Sequence, residues 1–314
     1  MSEICIQKIN YKGWDDAVQM TNGVVDVVIV PAIGRIMAYG FCGERNMLWH
    51  DPDLEGVVVQ EDIFDQNELE WMNFGGDKVW PTEQRLFPVL NGFAWPPDPY
   101  LDAFSHHLKI LNDGFEMISP VSPFCGAQVV RRIGMHPGQS RITIEQELTK
   151  VQPAQKSNDE PIPLTIWNIT QIPVPELVVF PIASDSRHEK GMMVWDIDDR
   201  IHQNLSVDGT IGNFKPSKDF DQKIGTDAEN WLAALNGDIV FVESFTKERG
   251  GVYPDNHCTT EVYSCPRYVE LELLSPLKNL EPGESTSYTI SWDLKKVSGS
   301  LENRKKALLS WLGE

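Results

Sequence analysis

Two glutamates, two residues apart, mark the first place where this chain could do chemistry. The stretch 268–276 reads Tyr-Val-Glu-Leu-Glu-Leu-Leu-Ser-Pro. Its strict alternation from Val269 to Leu273 is the period-2 pattern of a β-strand with two different faces. Val269, Leu271 and Leu273 share the apolar face, so Glu270 and Glu272 project together from the other, at the roughly 6.5–7 Å spacing of residues i and i+2. Two readings fit: a solvated face of a half-exposed antiparallel strand, or an acid/base pair lining a cleft, where mutual repulsion raises one pKa into a useful range.

A second stretch, Asn73-Phe74-Gly75-Gly76-Asp77-Lys78-Val79-Trp80-Pro81, carries the chemistry of sugar recognition. A Gly-Gly pair lets backbone turn sharply or pass close to a ligand. Beside it, Asp77 and Lys78 offer directed hydrogen bonds to hydroxyls, and the Trp80 indole offers an apolar face to a pyranose ring. A tight turn followed by a buried Trp accounts for the same residues. Histidines that could move a proton are His50, the adjacent His106 and His107, and His257, which follows Tyr253-Pro254-Asp255-Asn256. For each of them a structural role competes with a catalytic one.

The elements that must position these groups read as β. Strands are expected at Val24–Val30, Gly34–Gly40, Leu108–Leu111, Phe115–Ser119, Val129–Met135, Arg141–Leu148, Leu164–Ile172, Glu176–Ile182, Asp238–Phe245, Cys258–Tyr263, Tyr268–Leu274 and Ser285–Trp292. Turn signals such as Asn22-Gly23, Asp113-Gly114 and Pro282-Gly283 separate them. Residues 44–107 are the least regular, but Trp49, Trp71, Trp80 and Trp95 argue for burial there rather than disorder. Residues 152–162 read as a loop, and 183–236 as mixed, with a short strand at 195–198 and a short helix at Asp227–Leu235. A helix at Leu301–Leu312, apolar along one stripe, is expected to pack over a sheet edge or end. Many strands and hardly any helix argue for an all-β sandwich and against a nucleotide-binding alternation of strand and helix.

Composition excludes several function classes. Among 314 residues, Lys plus Arg is 27 against 46 Asp plus Glu, a formal net charge of −19. Such a surface repels nucleic acid and anionic lipid. No apolar run approaches the ~18 residues of a membrane span, and the first residues lack a basic start and an apolar core, so no secretory signal is expected. The five cysteines are scattered and odd in number, which suits reduced thiols in the cytoplasm. No His-x-His, His-Glu-x-x-His or paired-Cys spacing points to a metal, and neither metal nor cofactor is expected. The acidic run Asp196-Ile197-Asp198-Asp199 reads as solvated charge ahead of a Ca²⁺ site.

Gly75-Gly76 followed by Trp80-Pro81 resembles the Gly-Gly-x-x-x-Trp-Pro loop of hexose-phosphate epimerases in the galactose mutarotase-like group. Further pieces, in order over about residues 10–295, look like an uncharacterised family of the same group: Trp95-Pro96-Pro97-Asp98-Pro99, Ser119-Pro120-Val121-Ser122-Pro123, Trp167-Asn168-Ile169-Thr170-Gln171, Tyr253-Pro254-Asp255, Glu270-Leu271-Glu272 and Leu280-Glu281-Pro282-Gly283-Glu284. The resemblance implies an antiparallel β-supersandwich spanning residues 1–296, with the helix of 297–314 packed on it and a sugar-sized cleft on one concave face. It also implies a late-strand Glu as general base on the anomeric hydroxyl and an earlier His that protonates the ring oxygen. That Glu maps onto the strand of Glu270 and Glu272 without distinguishing them. The strand that should carry the His reads Leu164-Thr165-Ile166-Trp167-Asn168-Ile169-Thr170-Gln171, with Trp167 in its neighbourhood. His257, Asp77 or Lys78 is then the expected alternative acid. Lys78, Trp80, Trp167, Gln171 and Asp255 are expected to bind substrate, and Arg35 to contact a ligand oxyanion. The expected partner is a small-molecule carbohydrate, and the expected activity is epimerisation of an aldose or sugar derivative. The alternative is a carbohydrate-binding protein without catalysis.

Overall fold

Short runs of β-branched and aromatic residues punctuated by Gly, Pro and Asn favour strands over helices. In the computed structural model the described residues form two antiparallel sheets of 10 strands each. The structure describes residues 4–60, 70–155 and 161–314. Residues 156–160 of the expected loop, 61–69 of the irregular region and 1–3 of the N-terminus lie outside the described residues.

The first sheet runs, in spatial order, β1 (Cys5–Lys8), β2 (Val18–Thr21), β3 (Val25–Val30), β4 (Arg35–Phe41), β5 (Asp77–Trp80), β10 (Trp167–Ile172), β19 (Val269–Leu274), β18 (Thr260–Ser264), β15 (Gln222–Thr226), β12 (Met193–Trp195). The second runs β13 (Leu205–Asp208), β14 (Ile211–Phe214), β11 (Leu177–Pro181), β16 (Trp231–Asn236), β17 (Ile239–Ser244), β20 (Ser285–Lys296), β9 (Ile142–Lys150), β8 (Ala127–Met135), β7 (Gly114–Ile118), β6 (His107–Ile110). Their facing sides share one core: Val27, Ile29, Val262 and Leu271 of the first sheet pack in the same cluster as Ile133, Ile144, Phe241 and Ile290 of the second. Each such side chain contributes roughly 1.5–3 kcal/mol of transfer free energy when buried.

The C-terminal helix Leu301–Leu312 starts at Ser300, whose side chain accepts from the Asn303 amide, and ends at Gly313 in the left-handed region. It packs across the outer face of the central strands of the second sheet, not at an edge or end as expected. Leu308 is fully buried in a cluster with Val179, Ala233, Leu235, Val240 and Val242. This contact also explains why Asp227–Leu235 is not a helix. Trp231-Leu232-Ala233-Ala234-Leu235 lies in β16, buried by the core on one side and the C-terminal helix on the other. A strand covered on both faces loses its alternation and reads like a helical run. Among the described residues no helix is long and apolar enough to cross a membrane.

Candidate functional site

The outer face of the first sheet carries the site, and strand pairing dictates its membership. Ile169 of β10 pairs with Lys78 on one side and Glu272 on the other; Trp167 pairs with Trp80, and Gln171 with Glu270. Glu272 in turn pairs with Glu261 and Glu270 with Tyr263; Tyr263 pairs with Lys223 and Lys223 with Trp195. Directly paired residues point to the same side of a sheet. One face therefore gathers Lys78, Trp80, Trp167, Gln171, Glu270, Glu272, Glu261, Tyr263, Lys223 and Trp195. The intervening Val269, Leu271 and Leu273 point into the core. Over this face opens a cavity of about 660 Å³, lined in part by Trp71, Trp80, Trp195, Tyr268, Glu270 and Glu272, a volume suited to a small organic ligand.

Both glutamates are more than nine-tenths buried and each is held through a single oxygen. Glu270 Oε1 accepts from Gln171 Nε2 at 2.8 Å and from Lys78 Nζ at 3.4 Å. Glu272 Oε2 accepts from the Trp167 indole at 2.7 Å and lies 3.7 Å from Lys223 Nζ. Glu270 Oε2 and Glu272 Oε1 have no hydrogen-bond partner among the described residues. Each carboxyl is thus fixed from behind and keeps one oxygen for whatever enters the cavity.

The lysines stand in unlike surroundings. Burial holds the Lys78 amine below the ordinary lysine value, against the opposing pull of Glu270. Its Nζ lies 5.0 Å from the Trp71 ring centroid and 5.4 Å from that of Trp80. Lys223 pairs with Glu261 at 2.6 Å. Burial alone would depress it too, but Glu272 and Glu261 outweigh that and raise it above the ordinary value. The same burial pushes Glu272 up to about 7, Lys223 pulling it down and Glu270 pushing it further up. Glu261 is raised well above the usual carboxyl range, again by burial first. Two buried carboxyls facing one ammonium favour retention of a proton between them.

The aromatic wall has its own support. Asp102, ending the short helix Pro99–Asp102, accepts from the Trp80 indole at 2.8 Å and from the Trp71 indole at 3.1 Å. Trp80 meets Trp95 and Trp167 edge-on, each at 5.9 Å. The chain enters β5 through Gly75 and Gly76, both at positive φ; a Cβ on either would lie 2.3 Å from a backbone carbonyl oxygen, of Trp49 and Ile36 respectively. Only glycine fits there.

Four residues expected at the site line the cavity: Glu270, Glu272, Trp80 and Asp255. Asp255 opens a run of three non-glycine residues in the left-handed region, with φ of 43°, 60° and 71° through His257, a costly backbone that needs tertiary support. Its amide donates to Glu83 Oε1 at 3.0 Å. Lys78, Trp167 and Gln171 stand on the same face but are wholly buried, Lys78 and Gln171 bonded to Glu270 and Trp167 to Glu272. Three expectations are corrected by placement. Asp77 alternates with Lys78 and faces the core, where it pairs with Arg131 of the other sheet and accepts from Asn168 at 2.7 Å and Thr170 at 2.9 Å. Arg35 is fully buried and spent on Asp102 and the Gly75 carbonyl. His257 stands outside the lining, its Nε2 3.0 Å from Arg187 Nη1.

Of the other histidines, His50 pairs with Glu55 at 2.9 Å, and His106 is buried against the Phe104 carbonyl, its pKa pushed down to about 4 by burial. Among the described residues no histidine lines the cavity. In the acidic run, Asp198 is bound to Arg200 at 2.6 Å. Residues that sequence reasoning missed are Lys223, Glu261, Trp195, Tyr263 and Asp102. Lys223 and Trp195 lie in short strands within the mixed region, and only sheet pairing reveals them.

The model of a family described as a domain of unknown function (DUF4380) matches residues 16–295. The chain belongs to that family. No curated protein matches it. Its fold is similar to that of a candidate aldose 1-epimerase from Klebsiella pneumoniae, at 12% identity and a TM-score of 0.62 over 98% of this chain and 87% of that one. A candidate aldose 1-epimerase from Escherichia coli aligns at 12% identity and 0.52, covering 89% and 98%. A candidate mutarotase from Salmonella typhimurium aligns at 9% and 0.52, covering 94% and 95%. At such identities the likeness establishes the fold, and this DUF4380 chain is a galactose mutarotase-like antiparallel sandwich with a C-terminal helix.

Proposed function

We propose that this protein binds an aldose in the cleft of its first sheet and interconverts the sugar's epimers by acid/base chemistry between Glu270 and Glu272. One observation carries the reading: two buried carboxyls, each tied down by one oxygen, present the other to a cavity walled by Trp and Tyr. Glu270, held by Gln171 and Lys78, takes the proton of the anomeric hydroxyl. Glu272, raised to about 7, gives its proton to the ring oxygen. The bond from C1 to the ring oxygen breaks, leaving an aldehyde and a free hydroxyl. Rotation about C1–C2 and the reverse transfers close the ring on the other face. A carboxyl that its burial keeps protonated near neutrality suits the role of acid in this exchange. Trp80 stacks on the apolar face of the ring.

The lack of a cavity-lining histidine among the described residues favours a second reading, a sugar-binding protein without turnover. Saturation-transfer NMR against free aldoses tests the binding common to both. At least one aldose should bind, about ten-fold more weakly to Trp80→Ala. No binding by the folded wild-type protein to any aldose would refute the carbohydrate reading.

A further inference from the structure

We propose that the sugar taken by this cleft carries a protonated amine, received by Asp255; the inference rests on the carbohydrate reading above. The argument is one of charge and commitment. Four carboxyls, Glu261, Glu270, Glu272 and Asp255, gather around two lysines. Both lysines are committed to protein partners. Lys78 is buried beside Glu270, under the Trp71 and Trp80 rings, and Lys223 is clamped by Glu261 at 2.6 Å and Glu272 at 3.7 Å. Arg85 at the mouth is paired with Glu83. Among the described residues, Lys78, Lys223 and Arg85 each already face a carboxylate, so a phosphate or carboxylate on the sugar would have to compete for them.

An ammonium finds the reverse. Asp255 lines the cavity and makes no ion pair among the described residues, and its left-handed backbone is anchored to Glu83. Two independent features support a cation. Glu270, more than nine-tenths buried, keeps an oxygen that has no partner among the described residues and faces the same space. The walls are π faces, which attract cations, and Lys223 already lies 5.1 Å from the Trp195 ring centroid. Even with one proton kept between Glu261 and Glu272, the remaining carboxylates outnumber the two lysines, and a ligand ammonium would relieve that excess.

The test compares, by titration calorimetry below the amine's pKa, glucosamine and galactosamine with their N-acetyl forms, the parent aldoses and the 6-phosphates. The free amines should bind about ten-fold tighter than the N-acetyl forms, the size of one charge-assisted contact, and the phosphates most weakly. Asp255→Asn should remove the margin between amine and N-acetyl forms. A phosphate that binds as tightly as the amine, or an amine no tighter than its N-acetyl form, overturns the proposal while leaving the sugar reading in place. Failure of every sugar overturns both. The comparison among ligands needs no variant, so the proposal stays testable if Asp255→Asn does not fold.

Discussion

In the proposed reaction, the proton carried by Glu272 decides the rate. Its folded pKa of about 7 lies above the ordinary 4.5, chiefly because the carboxyl is buried. An acid with this pKa should lose activity as pH rises through about 7, so the rate of anomeric exchange is expected to fall there. Linkage gives a second readout. A raised pKa contributes stability that is complete below 4.5 and lost as pH rises to about 7. Urea denaturation should therefore show Glu272→Gln gaining on the wild type across that window. Behind the site, the Thr170 hydroxyl lies 2.9 Å from Asp77 and 2.5 Å from Glu243. One hydroxyl proton serves one carboxylate. Burial raises Glu243 well above the usual range and, among the described residues, no cation pairs with it, which favours its neutral form. Glu243→Gln should then be near neutral for stability at pH 7. Asp77→Asn leaves the buried Arg131 guanidinium without its partner and should cost about 3–5 kcal/mol in the same urea experiment.

Among the elements, β19 was open to the eye because its two faces differ in kind. Val269, Leu271 and Leu273 enter the core, and Glu270 and Glu272 do not. β5 was hidden. Asp77-Lys78-Val79-Trp80 is four residues between Gly-Gly and Pro, with no β-branched run to announce a strand, and its pairing with β10 is a long-range contact. Reading it as a loop put Asp77 and Lys78 on equal terms, whereas the pleat sends them to opposite sides. Lys223 and Glu261 were illegible for a related reason: neither has a neighbour in sequence that reveals its face, and their ion pair joins two strands. The C-terminal helix has well-marked ends, Ser300 and Gly313, but its docking depends on an apolar outer face that the sequence shows only as a featureless run in β16. Leu308→Ala should cost about 2–5 kcal/mol, read as a lowered urea midpoint. Sugar affinity should not change, because the helix lies on the other sheet.

Across the whole molecule the two sheets divide the labour. The second is closed over by the core on one side and the C-terminal helix on its central strands; the first leaves its outer face to the cleft. The net charge of −19 extends the cleft's own bias, and its field is screened over about 8 Å at physiological salt. Amino-sugar association should slow as salt rises, while that of the N-acetyl form should hold steady, as stopped-flow binding would report. The central claim, that Glu270 and Glu272 exchange protons with a bound aldose, is tested most directly by the rate of anomeric interconversion measured by exchange NMR with wild type, Glu270→Gln and Glu272→Gln. The account predicts acceleration by the wild type and a loss of at least about 100-fold in either variant, with the sugar still bound. Binding without acceleration by the wild type would contradict it.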